Sequence, residues 1–270
     1  MLRNFLSGGR RAPLGALLWC GLTYGFVRAE ESLADLHAAD ATVGRRDDGT
    51  AVTPVNQIVT PYGKLIDLPG MRPQAIALSP DGRTLVVTGK TNALVVLDPE
   101  TGEVNQRVPF PSDDARIVRS KPASSNILQP DRKSQVSYTG LRFSGDGSRL
   151  YLSNVEGLVE VFRVEAEGRI VPADYWPLPA ANAPRRAAEI PAGIAESGDG
   201  ARLYVCGNLS NRLLELDATD GKVLRTFDVG VAPYDVALVG GKAYVSNWGG
   251  RRPGPDDLTG PARSEERRVG

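Results

Sequence analysis

The chain has 270 residues, of which 41% are hydrophobic, with 30 glycines, 20 prolines and two cysteines. Lysine plus arginine and aspartate plus glutamate balance at 32 each, so no concentration of positive charge marks a general nucleic-acid surface. This composition excludes a disordered tail protein and a disulfide scaffold, and it argues for a turn-rich globular chain rather than a helix bundle.

Arg3, Arg10 and Arg11 precede an apolar run from Leu14 to Val27, and Val27-Arg28-Ala29 offers small residues for cleavage before Glu30. That order predicts a secretory signal peptide over 1–29. The run is ~14 residues long, short of the roughly 20 that span a bilayer, so no membrane span is expected in the mature chain. Ala12-Pro13 after Arg10-Arg11 argues against a twin-arginine signal, and the bulky Trp19 before Cys20 argues against lipidation. Residues 30–54 read as a polar linker that holds the only histidine, His37. Cys206 is then the single cysteine of the mature chain, a buried strand thiol with no disulfide partner despite an oxidising destination. A periplasmic or secreted bacterial location follows as an expectation.

From Pro73 onward one grammar recurs: strand, tight glycine turn, strand, loop, strand, a second turn, strand. It opens with Pro73–Leu78, turns at Pro80-Asp81-Gly82, continues through Thr84–Gly89 and Ala93–Leu97, and turns again at Asp98–Gly102. The second copy turns at Gly145-Asp146-Gly147, the third at Gly198-Asp199-Gly200 and Asp217–Gly221, and a fourth begins at Pro233 and runs to Trp248. Glycine supplies the positive φ these hairpins need. Leu94-Val-Val-Leu97 and Leu213-Leu-Glu-Leu216 are short apolar runs bounded by turns, as strands buried between neighbouring sheets should be. Tyr204 and Tyr244 stand 40 residues apart, close to the ~40–45 of a four-stranded propeller blade. The Pro- and Ser-containing stretch 113–135 reads as a long surface loop.

The predicted fold is all-β: a β-propeller of four-stranded antiparallel blades over 55–250, with about three and a half blades and an incomplete ring. Residues 251–270 read as a disordered or truncated tail.

Tyr244-Val-Ser-Asn247, Tyr151-Leu-Ser-Asn154 and, with one extra residue, Tyr204-Val-Cys-Gly-Asn208 resemble the signature of the YVTN-repeat (YncE-like) β-propeller family. The flanking segments Asp47–Thr50, Asn56–Pro61, Leu68–Pro73 and Asn247–Pro253 resemble the N-terminal propeller part of secreted proteins that join such a propeller to an alkaline-phosphatase-like phosphoesterase domain. The resemblance implies that any catalytic half lies in a C-terminal domain outside this sequence.

No catalytic constellation is legible. One histidine leaves no material for a Ser-His-Asp arrangement or a histidine metal site, and no phosphate loop joins a strand to a helix. Catalytic residues, metal ligands and cofactors are therefore expected to be none. Propeller geometry places a ligand at convergent loops on one face, which selects Arg72, Lys90, Tyr138, Asn154, Asn208, Tyr234, Asn247 and Trp248 as binding candidates. Against this, an asparagine at a strand end often caps its own turn. Arg116, Arg119, Lys121, Arg132 and Lys133 face three acids in the 113–135 loop; single-stranded DNA, which the family resemblance brings in, finds only Tyr138 nearby for stacking, so nucleic acid is not expected as the partner.

The expected function is an exported, non-catalytic binding or scaffold propeller whose partner is an unidentified ligand or protein on the propeller face. A lactonase-like propeller hydrolase with a channel metal and a freestanding surface-interaction protein are the alternatives.

Overall fold

The computed structural model describes residues 42–111, 134–181, 183 and 186–258. The signal peptide, Cys20, His37, the basic residues of the 113–135 loop and the tail from 259 onward lie outside them. The chain divides into two compact units, Met1–Leu65 and Ile66–Gly270. In the first, β1 (Gly44–Arg45), β2 (Ala51–Val52) and β3 (Ile58–Val59) form a small antiparallel sheet, so two short strands fall within the stretch expected as linker.

The second unit holds the repeat. Blade I comprises β4 (Pro73–Leu78), β5 (Leu85–Gly89), β6 (Ala93–Leu97) and β7 (Val104–Pro109). Blade II comprises β8 (Val136–Phe143), β9 (Arg149–Asn154), β10 (Leu158–Val164) and β11 (Ile170–Pro177). Blade III comprises β12 (Pro191–Glu196), β13 (Arg202–Gly207), β14 (Arg212–Asp217) and β15 (Val223–Asp228). Among the described residues the fourth sheet has two strands, β16 (Pro233–Val239) and β17 (Lys242–Asn247). Every sheet is an antiparallel meander in chain order. The first strands β4, β8, β12 and β16 pack in succession against one another, which makes them the inner edge of an open fan.

One hydrogen-bonded corner recurs in three blades. Ser79, Ser144 and Ser197 donate through Oγ to Asp81, Asp146 and Asp199 at 2.6, 2.6 and 2.5 Å. The same hydroxyls accept the backbone N–H of Thr84, Arg149 and Arg202, each at 2.9 Å. The Ser-x-Asp-Gly sequence thus satisfies its own turn, and the aspartates need no metal to explain them. Blade IV lacks this corner and turns on Gly240 and Gly241, both at positive φ, the pattern of a two-residue hairpin loop.

Packing between blades supplies the core. Val86, Leu94, Val96 and Phe110 of blade I meet Leu141, Phe143, Leu150 and Phe162 of blade II. Tyr151, Val159, Val161 and Trp176 of blade II meet Ile194, Val205, Leu214 and Leu216 of blade III. Full burial of one such side chain stabilises by about 1.5–3 kcal/mol, so these interfaces outweigh the single hydrogen bonds between blades. Gly221 shows how tight the second is: φ is +74°, and a Cβ there would lie 2.0 Å from the Trp176 ring. The other face of blade I is covered by Leu68 and Met71. The other face of blade III is covered in part, where Ala192, Ala195, Cys206 and Leu213 pack against Val236, Leu238 and Val245 of the fourth sheet. A groove of about 730 Å³ opens there, lined by Leu213, Arg225, Phe227, Leu238 and Val245. It lies where third and fourth strands would stand in the other blades.

Candidate functional site

Strand register gathers all eight candidates at one end of the blades. Pro73 pairs with Gly89, Val136 with Asn154, Pro191 with Gly207 and Pro233 with Asn247. The entry to each first strand therefore lies beside the exit of each second strand. One backbone hydrogen bond closes that end in every blade: Lys90, Val155, Asn208 and Trp248 donate N–H to Arg72, Gln135, Ile190 and Ala232. Lys90, Asn208 and Trp248 are thus the same position in different blades. Register also corrects the motif alignment: Gly207, not Asn208, stands where Asn154 and Asn247 stand.

Not all eight point to one place. Arg72 and Lys90 are exposed, and a backbone hydrogen bond joins them. Asn154 is fully buried: its amide donates to Ser134 Oγ and its Oδ1 accepts the Glu156 N–H at 3.0 Å, a local capping role. Asn247 donates to the Val245 carbonyl at 3.1 Å, and its own buried Oδ1 has no partner.

The other four converge. Tyr234 and Trp248 stack with centroids 4.8 Å apart and planes 15° from parallel. Tyr138 meets both edge-on, at 5.5 Å from Tyr234 and 5.3 Å from Trp248. Its hydroxyl donates to Asn208 Oδ1 at 3.3 Å, and Asn208 Nδ2 donates to the Pro233 carbonyl at 3.0 Å. Blades II, III and IV each contribute. Edge-to-face and stacked pairs at these separations add about 0.5–1.5 kcal/mol beyond burial, enough to hold the rings as a unit. Trp248 nevertheless stays 60% exposed.

Tyr138 reaches the cluster through an irregularity in β8. From the first register pair to the next, blade II runs Val136 to Leu141 while β9 moves only Asn154 to Leu152. The corresponding step in blade III is Pro191 to Ile194 against Gly207 to Val205. Blade II therefore carries two extra residues. The Ser137 hydroxyl donates to the Pro191 carbonyl and pins the bulge. Gly140 is required beside it, since a Cβ would lie 2.2 Å from Ser153 Oγ. Tyr138 itself sits at φ +51°, a left-handed conformation costly for a bulky side chain. Bulges commonly re-aim a side chain, and strain of this kind gathers at functional sites. The signal was present in sequence as a spacing, because Val136-Ser-Tyr-Thr-Gly-Leu141 is two residues longer than Pro191-Ala-Gly-Ile194.

Sequence reading missed Glu189. It is 1% exposed, and its Oε1 accepts the N–H of Ile190 and of Leu209 at 2.9 and 2.8 Å. A Cβ on Gly207 would lie 2.9 Å from Glu189 Oε2, so the carboxylate fills the room that the glycine leaves. Cys206 is buried as expected, and loss of solvation, with Asp235 adding to it, pushes its thiol up to about 12. It is no nucleophile. Among the described residues no cluster of three or more His, Cys, Asp or Glu side chains could hold a metal ion. No helix among them is long and apolar enough to cross a membrane.

Consecutive four-stranded meanders, packed face to face with their first strands innermost, define an open β-propeller with an aromatic platform at one end. No protein-family model matches the chain, and no curated protein matches it. Solved structures that align with it include the following three. The RRP9 WD40 repeats share 14% identity over 64% of this chain and 44% of that one, with a TM-score of 0.45. U3-55K shares 14% over the same shares, at 0.46. The Myceliophteria thermophila Cps50 (Swd1) β-propeller domain shares 13% over 77% of this chain and 61% of that one, at 0.49. The chain spans less than two thirds of each.

Proposed function

We propose that this chain is the ligand-binding propeller of an exported bacterial protein of the YVTN-repeat (YncE-like) kind, acting beside a phosphoesterase domain in a longer polypeptide. The observation that carries the binding role is the platform of Tyr138, Tyr234 and Trp248. A strained two-residue insertion brings a tyrosine from one blade against two rings of another, and Trp248 is 60% exposed among the described residues. Export rests on the basic, apolar and small-residue order of 1–29, and the phosphoesterase link rests on the flanking segments.

Three measurements test the proposal. The mature protein isolated from periplasm or medium should begin at Glu30; an intact N-terminus in the cytoplasm would defeat export. Purified residues 30–270 should leave p-nitrophenyl phosphate and its diester unhydrolysed, and turnover by this segment would defeat the non-catalytic reading. A ligand screen by tryptophan emission should find a compound whose signal is lost in Trp248→Ala, because Trp176, the other indole of the mature chain, is buried. Signals that persist in that variant would remove the platform from the binding role.

A further inference from the structure

We infer that the β16–β17 hairpin opens as a unit of its own, hinged at 229–232 and latched to blade III by Arg252. The latch is independent of what the platform binds.

Burial marks the hairpin as the least firmly held part of the fan among the described residues. Only Pro233 and Val236 of β16 are buried, and every residue of β17 is exposed or half-buried. In β14 of blade III, by contrast, the four residues from Leu213 to Leu216 are all buried. A segment with few buried apolar contacts opens at a lower free energy than the core of the same chain. The connection into the hairpin has the features of a hinge. Ala232 sits at φ +53°, a left-handed conformation, and its N–H donates to Asn211 Oδ1 at 2.8 Å. Closure leaves no room for a side chain at Gly230, where a Cβ would lie 2.3 Å from the Gly250 carbonyl oxygen.

The fastening lies beyond the second strand. Val231 and Ala232 share backbone hydrogen bonds with Trp248, Gly249 and Gly250, which close the hairpin on itself. Arg252 then crosses to blade III. Its Nε donates to the Val229 carbonyl at 2.7 Å, and its Nη2 donates to the Asn211 carbonyl and to Asp228 at 3.0 Å. One guanidinium thus joins the β13–β14 turn, the end of β15 and the start of the hinge. Its planar fork suits several acceptors at once, which a lysine ammonium on a flexible stem does not. Arg251 holds Asp257 instead, within its own segment.

Opening has two consequences. Tyr234 and Trp248 leave with the hairpin while Tyr138 stays on blade II, so the ring cluster comes apart. Cys206, buried on β13 in one cluster with Val236 of β16, becomes accessible.

Cys206 is therefore the reporter. The mature protein is labelled with excess Ellman's reagent at urea concentrations below the unfolding transition, as the parent and as Arg252→Ala, Arg252→Lys and Arg251→Ala. Arg252→Ala should raise the native-state labelling rate about fivefold or more, the loss expected when a charged donor gives up its bonds at a partly exposed site. Arg252→Lys keeps the charge without the fork and should give a smaller rise, and Arg251→Ala should leave the rate unchanged. The rate should climb with urea much less steeply than global unfolding does, because only one hairpin comes away. A rate that follows the slope of global unfolding would overturn the inference. So would the parent rate in Arg252→Ala, or equal acceleration in Arg251→Ala and Arg252→Ala.

Discussion

Glu189 does in blade III what Asn154 does in blade II. The Glu189 carboxylate accepts the Leu209 N–H at 2.8 Å, and the Asn154 amide oxygen accepts the equivalent Glu156 N–H at 3.0 Å. One residue caps from within its strand, the other from the segment that enters the neighbouring strand, across the gap left by Gly207. The swap yields a paired prediction. Glu189→Ala leaves a buried N–H without an acceptor and should cost about 1–3 kcal/mol. Gly207→Asn, with Glu189 still present, crowds the carboxylate and should cost a similar amount. The double variant rebuilds the blade II arrangement, so chemical denaturation should show a coupling of about 1 kcal/mol or more in favour of stability. Strict additivity would refute the equivalence.

Backbone strain at Tyr138 can be measured by comparing two truncations. Both Tyr138→Ala and Tyr138→Gly remove the ring contacts and the bond to Asn208. Only glycine relieves the cost of φ +51°. Glycine should therefore be the more stable of the two by about 1 kcal/mol, opposite to its usual rank against alanine. A less stable glycine variant would show that the bulge is not strained.

The blade corners set the acid limb of stability. Hydrogen bonds from Ser79, Ser144 and Ser197 are the main reason Asp81, Asp146 and Asp199 titrate below the ordinary aspartate range. A carboxyl whose folded value is depressed favours folding above its unfolded value, about 3.9, and loses that contribution as pH falls through the folded value. Replacing the three serines by alanine should raise the pH of the acid-unfolding midpoint and lower stability more at pH 7 than in strong acid, where the carboxyls are protonated in both states. An unchanged acid midpoint would mean that the corners do not report on folding.

Much of the fold was legible because the repeat is written in residues with one local meaning. Asp81-Gly82, Asp146-Gly147 and Asp199-Gly200 mark hairpins by φ requirement alone, and apolar runs such as Leu213–Leu216 mark strands buried on both faces. The site was legible only in part. Candidates chosen for lying at one end of the blades do lie there, since register follows from turn positions. Which of them would meet depended on the two extra residues of β8, which place Tyr138 across blade III from its own neighbours. Glu189 was opaque for the opposite reason: it is spent on backbone N–H groups, one of which, from Leu209, is met only when the strands pair.

Cys206 offers a check on the core of blade III. Its side chain is fully buried and its thiol is pushed up to about 12, chiefly by loss of solvation. Only the thiolate attacks a disulfide reagent. In native protein at pH 8, Ellman's reagent should react with Cys206 slowly, at a rate set by opening of the blade, and stoichiometrically within the mixing time in guanidinium. Fast reaction under native conditions would show that β12–β15 open readily.

The unpaired side of blade IV should govern solution behaviour. Among the described residues β17 pairs on one side only, Val239 and Tyr244 are 63% and 57% exposed, and Leu224 and Phe227 lie open on blade III. An edge strand with flanking apolar surface is a template for pairing with another chain. Residues 30–270 should therefore self-associate as concentration rises, which sedimentation velocity would register as a growing weight-average coefficient. Val239→Lys with Tyr244→Lys puts charge on that face and should shift the distribution toward monomer without lowering the unfolding midpoint, because neither side chain is buried. If the double lysine variant associates as strongly as the parent, the edge is not the cause, and the association must run through another surface.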